Sequence, residues 1–150
     1  MPTTAIRVLV ADDHAVFRQS LKMFLESAGF LVVGEAADGQ EAVLLARELQ
    51  PDVTLLDLAM PGLNGLEAAR LIVLASPSAK VILLTMNDET PNVVKALRCG
   101  AKGYVIKSQA GDDLMAAIHQ VLAGLFYFSP PLCCRLQQEL ARMSGTLGTL

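Results

Sequence analysis

The chain has 150 residues, enough for one domain with a buried core but too few for two domains of ordinary size. Hydrophobic residues make up 53% of the sequence and charged residues 18%, which excludes an intrinsically disordered chain. Its 12 basic and 15 acidic residues give a formal net charge of −3, so we expect no direct nucleic-acid binding. No secretory leader or membrane-spanning stretch is evident, and we expect a cytoplasmic protein.

Short apolar runs alternate with helix-like segments along the chain. Continuously apolar runs are typical of strands buried on both faces of a parallel sheet. The alternation predicts a doubly wound α/β domain with right-handed crossovers. The predicted strands are Ile6–Ala11, Leu31–Ala36, Val53–Leu58, Lys80–Thr85 and Gly103–Lys107. The predicted helices are Phe17–Ala28, Gly39–Leu49, a segment after Asn64, a segment from Pro91 to Gly100, and one containing Leu114–Leu122.

The pattern changes after Gly124. We expect a first domain over residues 1–128, followed at 129–150 by a linker-like helix and a frayed tail. Four apolar residues repeat at helical spacing in that second part: Leu132, Leu136, Leu140 and Met143. They either pack as an ordinary C-terminal helix or form the apolar stripe of a linker or dimer helix.

Polar residues stand at the carboxyl ends of four predicted strands. Asp12 and Asp13 follow the first, and Asp57, Thr85 and Lys107 lie at the ends of the third, fourth and fifth. In open parallel sheets, ligands bind at this edge. Three neighbouring carboxylates do not all stay ionised without cations, and a divalent metal ion together with one lysine would balance their charge. Oxygen ligands favour Mg²⁺, which typically works with phosphate.

The same residues are suited to phosphoryl transfer. A carboxylate can act as the nucleophile and form an acyl phosphate. Asp57 fits that role, Asp13 and Asp57 fit a metal site, and Lys107 and Thr85 fit the donors to the remaining oxygens. Each residue alone has an ordinary interpretation as a turn, cap or surface residue. Their joint position at one sheet edge is what favours a functional site.

Four motifs, in this order, resemble the receiver domain of two-component response regulators: VLVADDH, LLDLAMPGLNGLE, ILLT and GAKGYVIK. The resemblance covers roughly residues 5–125, and GLNGLE and AGLFYFSP are most similar to the NarL/FixJ (LuxR-type) subfamily. It implies a flavodoxin-like (CheY-like) fold. In that fold a five-stranded parallel sheet has the order 2-1-3-4-5 and is accompanied by five helices, followed here by the C-terminal linker helix.

The resemblance also implies a phosphorylation site with Mg²⁺ as its cofactor. Asp57 matches the aspartate that accepts a phosphoryl group from a sensor histidine kinase. Asp12 and Asp13 match the acidic pair that holds Mg²⁺, with Asp57 and the backbone carbonyl of Ala59 as further ligands. Relatives often have Asn at the position of Ala59, so a side-chain contact near the phosphoryl group is absent here.

A switch mechanism is implied by three further matches. Thr85 matches the switch hydroxyl, Lys107 the family's lysine, and Tyr104 the aromatic residue whose rotamer follows the switch. The alternative for Tyr104 is a tyrosine half buried at a strand edge. Met86 follows Thr85 where relatives have a small residue, and we expect it to crowd the path of Thr85. Phosphorylation is implied to change the face formed by the fourth helix, the fifth strand and the fifth helix.

The LuxR-type subfamily normally has a helix-turn-helix domain after the receiver. The resemblance therefore implies control of homodimerisation or of a DNA-binding output domain, and hence of transcription. The chain stops after one linker-like helix, so we expect an excised receiver or, as the alternative, a stand-alone one.

Other functions fit the sequence less well. One alternative is an interaction module that keeps the fold and works without phosphorylation. A phosphatase with an aspartate nucleophile would have a second aspartate at the position of Ala59, and a dinucleotide-binding domain would have G-x-G-x-x-G after the first strand. We expect no enzymatic turnover beyond self-directed phosphoryl transfer and autodephosphorylation. His14 and His119 are expected to lack metal partners and catalytic roles.

Overall fold

A computed structural model describes residues 5–86, 95, 98–107, 110–130, 138 and 141. The described strands are β1 (Arg7–Ala11), β2 (Leu31–Ala36), β3 (Val53–Asp57), β4 (Lys80–Thr85), β5 (Gly103–Ile106) and β6 (Tyr127–Phe128). The described helices are α1 (Ala15–Ser27), α2 (Gly39–Leu49), α3 (Gly65–Ala75) and α4 (Ala110–Leu122).

The helix named α4 is the fifth helix of the sequence prediction. The predicted fourth helix, with its proposed start at Thr90 and Pro91, lies largely outside the described residues. Within that segment the described residues Lys95, Arg98 and Cys99 are helical.

All strands of the sheet are parallel, in the order β2-β1-β3-β4-β5-β6. The predicted doubly wound fold and the order of the first five strands are confirmed. The predicted number of strands is wrong, because β6 pairs with the outer side of β5. A strand of two residues is too short to show an alternating or continuous apolar pattern, so the sequence pattern did not reveal it.

Two apolar layers cover the sheet, one on each face. On one face, strand residues such as Leu9 and Leu56 pack with the alanine-rich inner sides of α2 and α3. On the other, residues such as Val10 and Leu55 pack with α1 and α4. Both faces of the central strands are therefore buried, which explains why these strands are continuously apolar in the sequence.

The start of α3 holds the end of β3 in place. Asn64 caps this helix, and its side chain accepts a hydrogen bond of 3.0 Å from the backbone N–H of Glu67. A Cβ atom at Gly65 would overlap the backbone carbonyl oxygen of Asp57. Glycine at this position thus lets α3 begin directly against the residue that ends the central strand.

The C-terminal part of the chain is only partly described. Ser129 follows β6 and is fully buried, Pro130 is helical, and Gln138 and Ala141 are helical and exposed. The predicted stripe of Leu132, Leu136, Leu140 and Met143 lies outside the described residues, so the division into a receiver and a linker helix stays a prediction. In the part of the chain that is described, no helix combines the length and apolarity needed to cross a bilayer.

Candidate functional site

Four polar side chains are buried at the carboxyl edge of the sheet. Asp12 directly follows β1, Asp57 ends β3, Thr85 ends β4 and Lys107 directly follows β5. Their exposed fractions are 0% for Asp12, 2% for Asp57, 4% for Thr85 and 8% for Lys107. Polar groups are seldom this buried unless they are paired or hydrogen-bonded, so this edge differs from an ordinary set of strand ends.

The ammonium group of Lys107 joins two of the carboxylates. Its Nζ lies 2.7 Å from Oδ2 of Asp12 and 3.2 Å from Oδ2 of Asp57. The same Nζ lies 4.5 Å from the centre of the Phe17 ring on α1, a cation–π distance. Lys107 is therefore fixed between β1 and β3, although its own backbone belongs to the end of β5.

Backbone amides orient the second oxygen of each carboxylate. The N–H of His14 donates to Oδ1 of Asp12 at 2.8 Å, and the N–H of Ala59 donates to Oδ1 of Asp57 at 3.2 Å. The guanidinium of Arg18 donates to the backbone carbonyl of Asp12. Both carboxylates thus have a fixed direction before any ligand binds.

The charge on Asp57 is only partly compensated. Burial of the side chain is the main cause that raises its pKa, from 3.8 to about 6, and the nearby charge of Asp12 adds to the effect. Lys107 and the amide of Ala59 oppose the rise without cancelling it. One lysine is therefore not enough for the two buried carboxylates, and the site favours an additional cation.

Four residues at this edge form a cluster with the composition of a metal site. Asp12, Asp13, His14 and Asp57 each offer one ligand atom, and these atoms lie within 4.8 Å of one another. The side chain of Asp13 is 33% exposed, so the cluster is open to solvent on one side. Three of the four ligand atoms are carboxylate oxygens, a set that fits a hard divalent cation such as Mg²⁺.

The structure places the His14 ring beside the acidic pair, and the expectation that His14 has no metal or catalytic role stays a prediction. Its Nδ1 lies 3.6 Å from Oδ1 of Asp12 and 3.6 Å from Oδ1 of Asp13. His14 occupies the cap position before α1, and this turn brings the ring back over the end of β1. His119 is exposed on α4, with its ring centre 6.1 Å from that of Phe30.

Thr85 and Tyr104 lie on the neighbouring strands β4 and β5. In the register of β4 and β5, Thr85 is opposite Ile106 and Leu83 is opposite Tyr104. The Tyr104 side chain is 0% exposed and belongs to the apolar layer formed with α2 and α3. The alternative of a half-buried tyrosine at a strand edge is therefore wrong, because β6 covers β5.

The expected crowding by Met86 is not seen in the structure. Its side chain is 71% exposed, so most of it lies in solvent.

A comparison with known protein families identifies the family of this chain. Residues 8–119 match the response regulator receiver domain. The chain belongs to this family. The predicted family is thereby confirmed, and the motif that contains Asp57 lies within the matched residues.

Individual relatives agree with the predicted subfamily. The response regulator GacA of Pseudomonas aeruginosa is 41% identical over 140 residues, which are 93% of this chain and 64% of GacA. The nitrate/nitrite response regulator protein NarL of Escherichia coli is 39% identical, over 93% of this chain and 65% of NarL. A solved LuxR-family response regulator from Aurantimonas sp. is 36% identical, with a TM-score of 0.87 over 92% of this chain and 99% of that chain. The receiver domain therefore spans less than two-thirds of the length of GacA and NarL.

Three residues that support the site were not found from the sequence. His14 joins the acidic cluster, Phe17 contacts the Lys107 ammonium, and Arg18 binds the backbone of Asp12. The helical spacing of Phe17 predicts a core position and does not show that the face of its ring lies against a buried cation. For Arg18 and His14 the only sequence signal is their position within two helical turns after the Asp12–Asp13 pair.

Proposed function

We propose that this receiver domain accepts a phosphoryl group on Asp57 from a phosphohistidine of a sensor histidine kinase, with Mg²⁺ as the cofactor. The observation that supports this best is the double contact of Lys107 with Asp12 and Asp57. A buried nucleophile with a raised pKa and a fixed cation beside it is the arrangement that carboxylate phosphorylation needs.

Asp57 would act as the nucleophile of the transfer. One of its carboxylate oxygens attacks phosphorus, the bond from phosphorus to the donor nitrogen breaks, and the donor histidine leaves with the electron pair. The product is an acyl phosphate on Asp57. Lys107, which contacts Asp57 before the reaction, would then donate to a phosphoryl oxygen, and Thr85 would donate to another.

The metal ion would be held by the acidic cluster. The ligands are Asp12, Asp13 and Asp57 together with the backbone carbonyl of Ala59. When bound, Mg²⁺ supplies positive charge that offsets the phosphoryl and carboxylate oxygens. Asp12 keeps its hydrogen bond from the His14 amide, so this residue can hold its direction as the charge beside it changes.

The response would be a change between two packing states. Thr85 moves toward the phosphoryl group, and the side chain of Tyr104 follows into the space near it. The face formed by the segment before Gly100, β5 and α4 then changes its affinity for partners. We infer that the outcome is homodimerisation or release of a DNA-binding output domain, and thus control of transcription.

Phosphorylation can be tested directly with acetyl phosphate and Mg²⁺. The wild-type domain should gain one phosphoryl group by intact-protein mass spectrometry, and Asp57→Asn should gain none. Asp13→Asn is the matched control, because it keeps the acceptor but weakens the proposed metal site, so it should need more Mg²⁺ for the same rate. Equal phosphorylation of Asp57→Asn and wild type would show that the acceptor is wrong.

The switch can be tested with beryllofluoride, which mimics the phosphoryl group. We expect size-exclusion chromatography with light scattering to show a change in mass or shape with beryllofluoride and Mg²⁺, and Asp57→Asn should abolish it. If the wild-type domain binds neither Mg²⁺ nor beryllofluoride, the phosphorylation-independent interaction module becomes the better explanation.

A further inference from the structure

Ser129 stands out among the buried polar side chains. Six polar or charged side chains are buried in the described part of the chain, and four of them are the site residues Asp12, Asp57, Thr85 and Lys107. The other two are Thr54 and Ser129. Ser129 is 0% exposed, although it follows a two-residue strand at the outer side of the sheet. A buried hydroxyl in such a position needs a specific partner.

The partner of Ser129 is the backbone of β5. Its Oγ accepts a hydrogen bond of 3.1 Å from the N–H of Ile106, and its own N–H donates to the carbonyl of Tyr104 at 3.0 Å. The register of β5 and β6 ends at the pair of Tyr104 and Phe128. The Ser129 hydroxyl therefore supplies the next acceptor at the point where the β6 backbone stops pairing.

This hydrogen bond lies one residue from the cation of the site. Ile106 is the last residue of β5, and Lys107 follows it directly. The Lys107 side chain reaches Asp12 and Asp57 from a backbone that has already left the strand. Ser129 thus holds the last N–H of β5 next to the residue whose ammonium must sit between two carboxylates.

We propose that Ser129 is a positioning residue for Lys107, acting through its hydrogen bond to the Ile106 N–H. It touches neither the carboxylates nor the phosphoryl group. Without the bond, the end of β5 would have a buried N–H lacking its acceptor, and the backbone would move to find another. The ammonium group would then spend less time in contact with both Asp12 and Asp57.

A second contact of β6 provides a matched control. The hydroxyl of Tyr127 donates to Oδ1 of Asp113 on α4 at 3.0 Å. This bond fastens β6 to α4 and does not involve Ile106 or Lys107. Tyr127→Phe should remove the bond between β6 and α4 and leave the bond between Ser129 and Ile106 in place, while Ser129→Ala should remove only the bond to the end of β5.

The first measurement is independent of phosphorylation. In a ¹H–¹⁵N spectrum of the Lys107 ammonium group, recorded without Mg²⁺, Ser129→Ala should shift and broaden the Lys107 signal and speed hydrogen exchange of the Ile106 amide. Tyr127→Phe should leave both at their wild-type values. If Ser129→Ala does not fold, Ser129→Cys keeps a side chain of similar size with a weaker acceptor and should give the same changes to a smaller extent.

The second measurement rests on the proposed function. Loss of one buried hydrogen bond should lower the rate of Asp57 phosphorylation by acetyl phosphate roughly threefold to tenfold in Ser129→Ala. Tyr127→Phe should change it less than about twofold, because Lys107 stays in place. An unchanged Lys107 signal in Ser129→Ala, or an equal shift in Tyr127→Phe, would overturn the assignment of Ser129. Absence of phosphorylation in the wild type would overturn only the proposed function, and the Lys107 signal would still decide the role of Ser129.

Discussion

The two edges of the same parallel sheet use charge in opposite ways. At the amino edge, the guanidinium of Arg7 donates to the backbone carbonyls of Leu49 and Gln50, both at 2.8 Å. Oδ2 of Asp52 accepts a hydrogen bond of 2.8 Å from the Arg7 N–H. Arg7 and Asp52 thus connect the start of β1 to the segment between the end of α2 and the start of β3. At the carboxyl edge, a single lysine faces two buried carboxylates.

The two edges differ in whether their charges are compensated, and this distinguishes charges that stabilise the fold from charges that can bind a ligand. The Arg7 guanidinium satisfies carbonyls that the end of α2 leaves without an intrahelical donor, and Asp52 satisfies the backbone N–H at the start of β1, so each of these charges has a hydrogen-bond partner. At the carboxyl edge the pKa of Asp57 is raised to about 6, mainly by burial, so part of the negative charge lacks a partner. A bound cation would therefore stabilise the carboxyl edge, and substitutions at the two edges should have different effects.

The largest effect is expected from Lys107→Met. This change leaves Asp12 and Asp57 buried without their cation, which should lower the free energy of unfolding by about 3–5 kcal/mol near pH 8. Much of the loss should be recovered near pH 5, because Asp57, whose pKa is raised to about 6, is then largely protonated. Urea unfolding at both pH values measures this. A loss that is equal at both would mean that Lys107 contributes mainly through packing against Phe17.

Asp57→Asn should make the domain more stable at neutral and alkaline pH. The folded-state pKa of about 6 is above the ordinary value of 3.8, so ionisation of Asp57 opposes folding. The stability of the wild type therefore falls as the pH rises between these values, and the full penalty is present above the higher one. Without Mg²⁺, the variant should be more stable by up to about 3 kcal/mol near pH 8, with little difference near pH 4.

The same experiment has an internal control. Adding Mg²⁺ near pH 8 should stabilise the wild type more than Asp57→Asn, because a ligand stabilises the state that binds it. The difference in free energy of unfolding between the two proteins should therefore become smaller. If the difference in free energy of unfolding between Asp57→Asn and the wild type does not depend on pH, the charge of Asp57 does not cause it.

At the opposite edge, Arg7→Met should have a moderate effect that does not depend on pH. The carbonyls of Leu49 and Gln50 each lose a charged donor, which should cost about 1–2 kcal/mol in urea unfolding. Phosphorylation of Asp57 should proceed at the wild-type rate, because Arg7 lies at the other end of β1. A reduced rate would show that the two edges are coupled through this strand.

The smallest effect is expected from Asp52→Asn. The Asn side-chain oxygen can still accept from the Arg7 N–H, so the free energy of unfolding should change by less than about 0.5 kcal/mol. Thermal unfolding of Asp52→Asn, compared with that of Arg7→Met, tests whether the Asp52 carboxylate acts only as a hydrogen-bond acceptor. A larger loss that disappears in salt would show that its charge contributes as well.

The sequence pattern predicted the first five strands and the described helices because both faces of the central strands are buried, whereas the order of the strands was implied by the resemblance to receiver domains. Continuous apolar runs such as VTLLD and KVILLT are typical of a parallel sheet covered on both faces. The predicted bounds of β2, β4 and α2 match the structure residue for residue, whereas α1 begins two residues earlier and ends one residue earlier than predicted. A carboxylate at the end of such a strand, as in Asp57, was visible for the same reason.

Tertiary structure alone decided the contacts that combine these residues into a site. The sequence placed Lys107 at a strand end, but only the packing of β5 against β4 and of α1 over the sheet brings its ammonium between Asp12 and Asp57 and over Phe17. The pairing of β6 and the burial of Ser129 were likewise invisible, because a hydrogen bond between residues 23 apart leaves no local pattern. Local periodicity reports which face of an element is buried, whereas charge balance and hydrogen-bond partners depend on the neighbours that the whole fold supplies.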